Sequence, residues 1–242
     1  MNNIFVNAKW IWHSEGVCVD DRGEFFGAFE FNKSMENVLL RLSCDSDYAI
    51  YINNKFVSSN QYGDFPHYKI YDEIDVAEFL QSGINSIKIV VWYFGQTSQK
   101  YYPSSAGLIF ELVQGEKQLL RSDNSILSRR SRTYACGRAK NVSSQLGFSF
   151  LYDLTAEDET GEPNGILPSV IVDKNCTFYC RPNKKLCYGS TVEPLSVSVK
   201  HGGRTVLVDL GREVVGLATL KFYSKKSQRI TVTFGEKIIY SA

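Results

Sequence analysis

The 242-residue chain carries 27 Lys and Arg residues against 26 Asp and Glu residues, a formal net charge of +1. Nucleic-acid binding by phosphate neutralisation needs clustered basic residues, and the chain has only short basic runs, so that class of function is excluded. Apolar residues make up 43% of the chain, but no apolar run approaches the ~20 residues of a membrane helix. We therefore predict a globular protein with a substantial core and no membrane partner.

The amino terminus, MNNIFVNAKWIWH, lacks the basic and then apolar layout of a signal peptide. We therefore expect a cytoplasmic protein, unless a leader has been removed from the chain. Six cysteines are present, and three of them (Cys176, Cys180 and Cys187) have the spacing C-x3-C-x6-C without a fourth Cys or a nearby His. Tetrahedral zinc usually takes four ligands in tighter pairs, so free thiols and no metal site are predicted.

The first half of the chain reads as a series of short strands. Residues 25–31 form the first clear strand, and residues 38–57 follow as a two-residue alternation typical of half-buried strands, interrupted by an acidic turn at 45–47. This stretch predicts a hairpin across the acidic turn and a second tight turn at Asn53 and Asn54. A long polar and aromatic connection covers 58–71, one helical turn begins at Asp75 and ends by Gly83, and strands are predicted at 85–92 and 108–113.

The second half is again β-rich. Residues 121–145 show no clean period, residues 146–154 resume strand character, and an acidic segment with Gly and Pro at 155–168 is the best domain boundary. Alternating or apolar strands are then predicted at 170–172, 197–199, 206–209, 218–222 and 230–234. Many short strands and no amphipathic helix predict an all-β chain of two tandem β-sandwich (jelly-roll) modules, residues 1–155 and 156–242.

No sequence motif for catalysis is present, neither a phosphate-binding loop nor a metalloprotease or nucleophile-elbow pattern. The three histidines, His13, His67 and His201, have no recognisable partner motif and are interpreted as solvated or structural. Glycoside hydrolysis would need paired carboxylates at a fixed distance. The clustered acids Asp153, Glu157, Asp158 and Glu159 lie in a predicted loop, where such a run is usually solvated, so we assign no catalytic residue.

Sugar binding is the more plausible chemistry, because aromatic residues are concentrated in the predicted loops. Flat rings stack on the apolar face of a sugar while polar neighbours satisfy its hydroxyls. The candidate binding residues are Tyr62, His67, Tyr68, Trp92, Tyr101 and Tyr102. The alternative is that Trp92 caps the core, which the pattern favours for this residue, and that the tyrosines cover its rim. Asp45 and Asp47 are typical of acidic turns and also of cation sites.

Several segments in order resemble the amino-terminal β-sandwich of bacterial α-L-rhamnosidases. They are WIW at 10–12, FGAFEF at 26–31, DSDYAIYINNKFV at 45–57 and YDEIDVAEFLQSGINSIKIVVW at 71–92, with Asn54 in place of the family's usual Gly. Further on, VDLGREVVGLATLKF and ITVTFGEKI resemble the second β module of that family. No single motif is specific, and the order and spacing of the segments carry the resemblance.

The resemblance implies a galactose-binding-like first module and a second module that leads into a catalytic (α/α)6 barrel. Because nothing like that barrel follows, we expect this chain to be a piece of a larger glycoside hydrolase that lacks the catalytic domain. The leading hypothesis is a non-catalytic accessory region that contacts a rhamnose-containing glycan, has no cofactor and has the missing catalytic domain as its partner. The alternative is a structural or protein-contacting β-sandwich without sugar binding.

Overall fold

A computed structural model describes residues 4–32, 37–99, 101–145, 147–156, 165–187, 189–226 and 229–235 of the chain. The strands, in chain order, are β1 Ile11–Trp12, β2 Asp21–Phe31, β3 Val38–Asp45, β4 Asp47–Ile52, β5 Lys55–Ser59, β6 Tyr68–Asp75, β7 Gly83–Tyr93, β8 Gly107–Gln114, β9 Lys117–Arg121, β10 Leu127–Arg130, β11 Asn141–Ser143, β12 Gly147–Phe148, β13 Leu167–Pro168, β14 Val170–Ile171, β15 Thr177–Cys180, β16 Ser196–Lys200 and β17 Thr205–Asp209. Three short 3₁₀ helices cover Ala77–Phe79, Leu154–Ala156 and His201–Gly203. The predicted all-β class is confirmed. Within the described residues, no helix is long and apolar enough to cross a membrane.

Two sheets form a sandwich. The first has the order β14-β1-β8-β3-β6-β15, with β9 also paired to β8, and the second has the order β13-β10-β2-β7-β4-β5. Alternate residues of both sheets point into the space between them, as the burial pattern of β4 illustrates, where every second residue is buried. The core includes Leu40, Leu42, Ile50, Ile89 and Phe110, each at most 1% exposed.

The sequence prediction of a hairpin across the acidic turn is wrong. Strand β3 pairs with β6 and β8 in the first sheet, whereas β4 pairs with β5 and β7 in the second. The chain therefore crosses from one sheet to the other between Asp45 and Asp47, and the apolar faces of β3 and β4 oppose each other across the core. Alternation gives the buried face of a strand but does not give its hydrogen-bonded neighbour. The second predicted turn is confirmed: Asn53 and Asn54 have φ values of 51° and 62°, as a tight hairpin between β4 and β5 requires.

The first sheet is covered on its outer face as well. The amino-terminal segment packs on β8 through a second apolar cluster that contains Phe5, Ala8, Trp10 and Ile109. The buried carboxylate of Glu111 accepts hydrogen bonds from the backbone N–H groups of residues 7 and 8, at 3.1 and 3.0 Å. This double coverage explains why almost every residue of β8 is buried.

The chain divides into two compact units, Met1–Asn183 and Lys184–Ala242. Strands β13, β14 and β15 all pair with strands of the first sandwich, namely β10, β1 and β6. The division between the two units therefore lies after these three strands, at Asn183, whereas the sequence analysis places the domain boundary near residue 156. Composition marks the segment at 155–168 as a loop, but the pairing of the strands that follow it is long-range and leaves no local signal.

In the second unit, the described residues contain one hairpin, β16–β17, closed by a turn at residues 201–203. The predicted segments 218–222 and 230–234 are not strands in the part of the chain that the structure describes. A second complete sandwich in this unit stays a prediction.

We predict that Leu42→Ala lowers the free energy of unfolding by about 2–5 kcal/mol, because it opens a cavity in the filled space between the sheets. Ile84→Ala on β7 is the matched control, since Ile84 is 76% exposed, and it should change stability by less than about 0.5 kcal/mol. Urea unfolding of the two variants measures the difference. Equal losses in both variants would contradict the core assignment.

Candidate functional site

The strand connections bring several loops to one end of the first unit. Asp45 at the end of β3 pairs with Gly107 at the start of β8, and Asp21 at the start of β2 pairs with Tyr93 at the end of β7. The connections 13–20, 60–67 and 94–106 and the crossing at Ser46 therefore meet here, and we call this region the loop end. The predicted polar and aromatic connection at 58–71 and the loop that carries Tyr101 and Tyr102 both reach it.

A groove of about 280 Å³ lies on the outer face of the second sheet, next to the loop end. We call it the outer groove. It is lined by Arg22, Asp47, Tyr48, Ala49, Val90, Trp92, Tyr134, Phe148, Ser149 and Phe150. Three of these residues form one row across the sheet, because Trp92 of β7 pairs with Arg22 of β2 on one side and with Asp47 of β4 on the other. An aromatic ring thus stands between a cationic and an anionic side chain.

The guanidinium of Arg22 lies over two aromatic rings. Its central carbon lies 5.2 Å from the ring centre of Trp92 and 4.7 Å from that of Tyr134. Its Nη1 donates to Asp20 Oδ1 at 2.9 Å, and the indole Nε1 of Trp92 donates to the same oxygen at 2.9 Å. One buried carboxylate therefore fixes both the cation and the ring of the groove before any ligand arrives.

The neighbouring carboxylate, Asp21, ties Arg130 at the end of β10 to the start of β2. It lies fully buried 3.3 Å from His13 Nε2 and accepts a hydrogen bond from Arg130 Nε at 2.8 Å. Burial alone would raise the pKa of Asp21, but the neighbouring His13 ring and the hydrogen bonds from Arg130 outweigh it and hold the pKa far below its usual value. The ring of His13 is thus buried against this carboxylate.

At the loop end, the buried carboxylate of Asp45 joins three segments of the chain. Its Oδ2 lies 3.6 Å from Lys69 Nζ and 3.2 Å from Lys174 Nζ, and its Oδ1 accepts a hydrogen bond from the Tyr101 hydroxyl. Lys69 also binds Asp64 Oδ1 at 2.6 Å. All four charged side chains are at most 7% exposed, so two buried cations are matched by two buried anions.

The two lysines respond differently to this burial. Burial lowers the pKa of Lys174, although Asp45 opposes that shift. For Lys69, burial also acts to lower the pKa, but Asp45 and Asp64 together more than compensate and raise it. Lys174 Nζ also lies 4.5 Å from the ring centre of Trp10, which provides a further favourable contact.

The structure separates the six predicted binding residues. Trp92 lies in the outer groove rather than in the core, and its ring packs edge-on against Phe94 at 5.5 Å. Tyr101 also packs on Phe94, at 5.5 Å, and its phenol is committed to Asp45, so it holds the 94–106 loop in place. Burial and Asp45 raise the pKa of this phenol. Tyr102 is 60% exposed.

The other three predicted residues lie on the side of the first sheet formed by β6 and β15. Tyr68 stacks on Tyr179, with ring centres 4.1 Å apart, and Arg181 lies over the ring of Tyr62 at 5.5 Å. Arg181 in turn forms an ion pair with Asp72. The side chain of His67 is exposed at this edge. Whether these residues or Trp92 contact a sugar stays a prediction, but they do not form one site.

Sequence reasoning missed the partners that complete both surfaces: Arg22, Tyr134 and Phe148 at the outer groove, and Tyr179 and Arg181 at the edge. Each belongs to a segment far along the chain from the loop that it contacts. No local signal was present for Arg22, since the first five residues of β2, Arg22 among them, are all buried and show no alternation. Tyr134 and Phe148 belong to the aperiodic stretch, which gave no signal.

The cation interpretation of the acidic turn finds other partners in the structure. Asp45 faces two lysines, and Asp47 Oδ1 accepts hydrogen bonds from the backbone N–H groups of Tyr48 and Gln61, at 2.8 and 2.7 Å. Across the described ranges, no group of three His, Cys, Asp or Glu side chains comes together as a metal site would require. Glu157, Asp158 and Glu159 lie outside the described residues.

A second cavity, of about 560 Å³, lies on the outer face of the first sheet. Trp10 and Phe178 stack at its floor, with ring centres 5.9 Å apart, and Lys174 is part of its wall. The floor belongs to the apolar cluster that covers β8, and Trp10 is only 5% exposed. The rings of Trp10 and Phe178 therefore mainly pack the amino-terminal segment against the first sheet.

The fold has close structural counterparts in solved structures. A GH78 family rhamnosidase of Bacillus sp. GL1 matches 81% of this chain with a TM-score of 0.73 and 20% identity, over 22% of its own length. The α-L-rhamnosidase of Dictyoglumus thermophilum matches 88% with a TM-score of 0.66 and 16% identity, and that of Aspergillus terreus matches 86% with a TM-score of 0.59 and 18% identity, each over 26% of its own length. No protein-family model and no curated protein matches the sequence.

These matches establish the fold, which is the one that the sequence resemblance implied. The chain spans about a quarter of the length of the rhamnosidases that it matches. Activity does not follow from a shared fold at such identities, because function depends on the residues of a site.

We predict that Asp45→Asn lowers the free energy of unfolding by about 3–5 kcal/mol, because it leaves Lys69 and Lys174 buried with one fewer counter-charge. Glu73→Gln is the matched control, since the ion pair of Glu73 with Arg41 is solvent-exposed, and it should cost less than about 1 kcal/mol. Urea unfolding at pH 7 measures both variants. A loss from Asp45→Asn no larger than that from Glu73→Gln would contradict the network's role.

We predict that Asp21 contributes an acid-sensitive part of the stability. Its pKa in the folded chain lies below the unfolded value of about 3.9, so its contribution is fully present above that pH and is lost as the pH falls towards the folded pKa. In urea unfolding between pH 6 and pH 2, Asp21→Asn should show a shallower loss of stability on acidification than the natural chain. An equally steep acid limb in both proteins would contradict the assignment.

Proposed function

We propose that this chain is a carbohydrate-binding accessory region of a larger glycoside hydrolase of the α-L-rhamnosidase type. In this proposal the outer groove binds the glycan and the chain itself has no catalytic role. The observation that carries the proposal is the row Arg22–Trp92–Asp47, in which an aromatic ring is flanked by a largely buried guanidinium and by a carboxylate on the outer face of a sheet.

The chemistry of that row fits a sugar. The ring of Trp92 and the apolar side chains of Ala49 and Val90 offer a surface for the C–H face of a pyranose. Arg22, whose side chain is only 7% exposed, lines one side of the ring, and Asp47 lines the other with its carboxylate. A guanidinium donates and a carboxylate accepts, which suits hydroxyl groups that do both. Because Asp20 already holds Arg22 and Trp92 in place, binding would not have to order them.

The larger enzyme is supported by the fold. The three solved proteins described above are rhamnosidases, and this chain covers about a quarter of each. A rhamnose-containing glycan is accordingly the ligand that we propose first, and the catalytic domain of such an enzyme is the proposed partner. The other residues predicted to bind a sugar, Tyr62, His67, Tyr68, Tyr101 and Tyr102, lie outside the outer groove, and a sugar contact there stays a separate proposal.

We predict that Trp92→Ala weakens glycan binding by about tenfold or more, because it removes the stacking surface of the groove. Phe56→Ala is the matched control: Phe56 is an aromatic residue of the same sheet that is 37% exposed, near the Asn53–Asn54 turn at the opposite end of β4, and its loss should leave binding unchanged. Trp92→Phe keeps an aromatic ring and should bind with intermediate affinity. Such binding would show that a substitution at residue 92 leaves the fold intact. Isothermal titration with rhamnose and rhamnose-containing oligosaccharides measures the affinities.

Two outcomes would overturn the proposal. The absence of binding to any member of a glycan array by the natural chain would favour the structural or protein-contacting alternative. Turnover of an aryl rhamnoside by the purified chain would overturn the non-catalytic part.

A further inference from the structure

We infer that the outer groove selects a single neutral sugar ring and discriminates against acidic sugars. The inference rests on the proposed function and adds to it the size and the charge of the ligand. It depends on the volume of the groove, on the ion pairs around it and on the spacing of the row Arg22–Trp92–Asp47.

The size of the groove limits the ligand. Pockets for drug-sized ligands usually measure about 300–1,000 Å³, and the outer groove, at about 280 Å³, lies just below that range. Neighbouring strands are about 4.8 Å apart, so the backbones of Arg22 and Asp47 lie roughly 10 Å apart with Trp92 midway. A donor and an acceptor at that separation can each reach one side of a single pyranose stacked on the ring between them.

The charge of the groove disfavours an anion. Arg22 is the cation among the described residues that line it, and its Nη1 is already paired with the buried carboxylate of Asp20 at 2.9 Å. Asp47 adds a second carboxylate on the other side of Trp92. A carboxylate ligand would therefore compete with Asp20 for the guanidinium and lie near Asp47, whereas a neutral hydroxyl meets neither penalty.

Two cations on the neighbouring part of the sheet, Lys88 and Arg129, are paired with a buried acid. Lys88 Nζ lies 3.5 Å from Glu24 Oε1, and Arg129 Nε lies 2.9 Å from Glu24 Oε2. Glu24 is the next residue after Arg22 on the outer face of β2. Both are thus engaged by a buried acid, and neither lines the groove. Lys69 and Lys174 are buried in the Asp45 network.

The test compares sugars that differ in one property at a time. Titrations of the full chain use rhamnose, galactose and glucose, then galacturonate and glucuronate, which differ from their parents only in a carboxylate at C6, and finally neutral oligosaccharides of the best monosaccharide. We expect the uronate to bind about tenfold or more weakly than its neutral parent, and the oligosaccharide to bind within about threefold of the monosaccharide. Asp47→Asn should narrow the gap between the uronate and its parent, because it removes the repelling charge.

The outcomes separate this inference from the proposed function. Equal or tighter binding of the uronate would overturn the charge selection, and an oligosaccharide that binds more than about tenfold tighter than its monosaccharide would overturn the single-ring site. In both cases the proposed function stands as long as Trp92→Ala still weakens the binding by about tenfold or more. If none of the sugars binds, the proposed function and the inference fail together.

Discussion

The buried carboxylate of Asp45 is the contact on which the arrangement of the loop end depends. It lies where the chain leaves the first sheet for the second, and it meets Lys69 from β6, Lys174 from the segment after β14 and the Tyr101 hydroxyl from the 94–106 loop. Removing charges from water is costly, and the cost is recovered only when each charge keeps its partners at short range. The four charged side chains of this network therefore favour one arrangement of the segments that carry them, because any other arrangement would leave a buried charge unmatched.

The same principle operates again on the outer face of the second sheet. Asp20 accepts hydrogen bonds from Arg22 and Trp92 through one oxygen, and Asp21, next in sequence, binds His13 and Arg130. Two adjacent carboxylates thus fix the groove and the strand beside it. The result is a preformed row of donor, ring and acceptor, which is the physical basis for assigning carbohydrate binding to this surface rather than to the more exposed tyrosines.

Sequence periodicity was sufficient for the parts of the fold that depend on which side of a strand is buried. The strands at 38–45, 47–52 and 83–93 and the turn at Asn53 and Asn54 follow from alternation and turn chemistry. Alternation could not reveal that β3 and β4 lie in different sheets, nor that β13 to β15 return to the first unit, because strand pairing is decided by distant segments. The groove was predictable only in part: Trp92 stands out as a loop-end aromatic, whereas Tyr134 comes from a stretch without any period.

The proposed function depends above all on contact between a sugar and the ring of Trp92. The chain has three tryptophans, of which Trp10 and Trp12 are at most 5% exposed and pack in the two apolar clusters. The indole N–H signals in a ¹⁵N-edited NMR spectrum report on each of them separately during a sugar titration. If a sugar contacts the ring of Trp92, we expect the Trp92 signal to shift in a saturable manner while the signals of Trp10 and Trp12 stay in place. A shift of the Trp10 signal alone would contradict it and would place the ligand in the cavity on the first sheet.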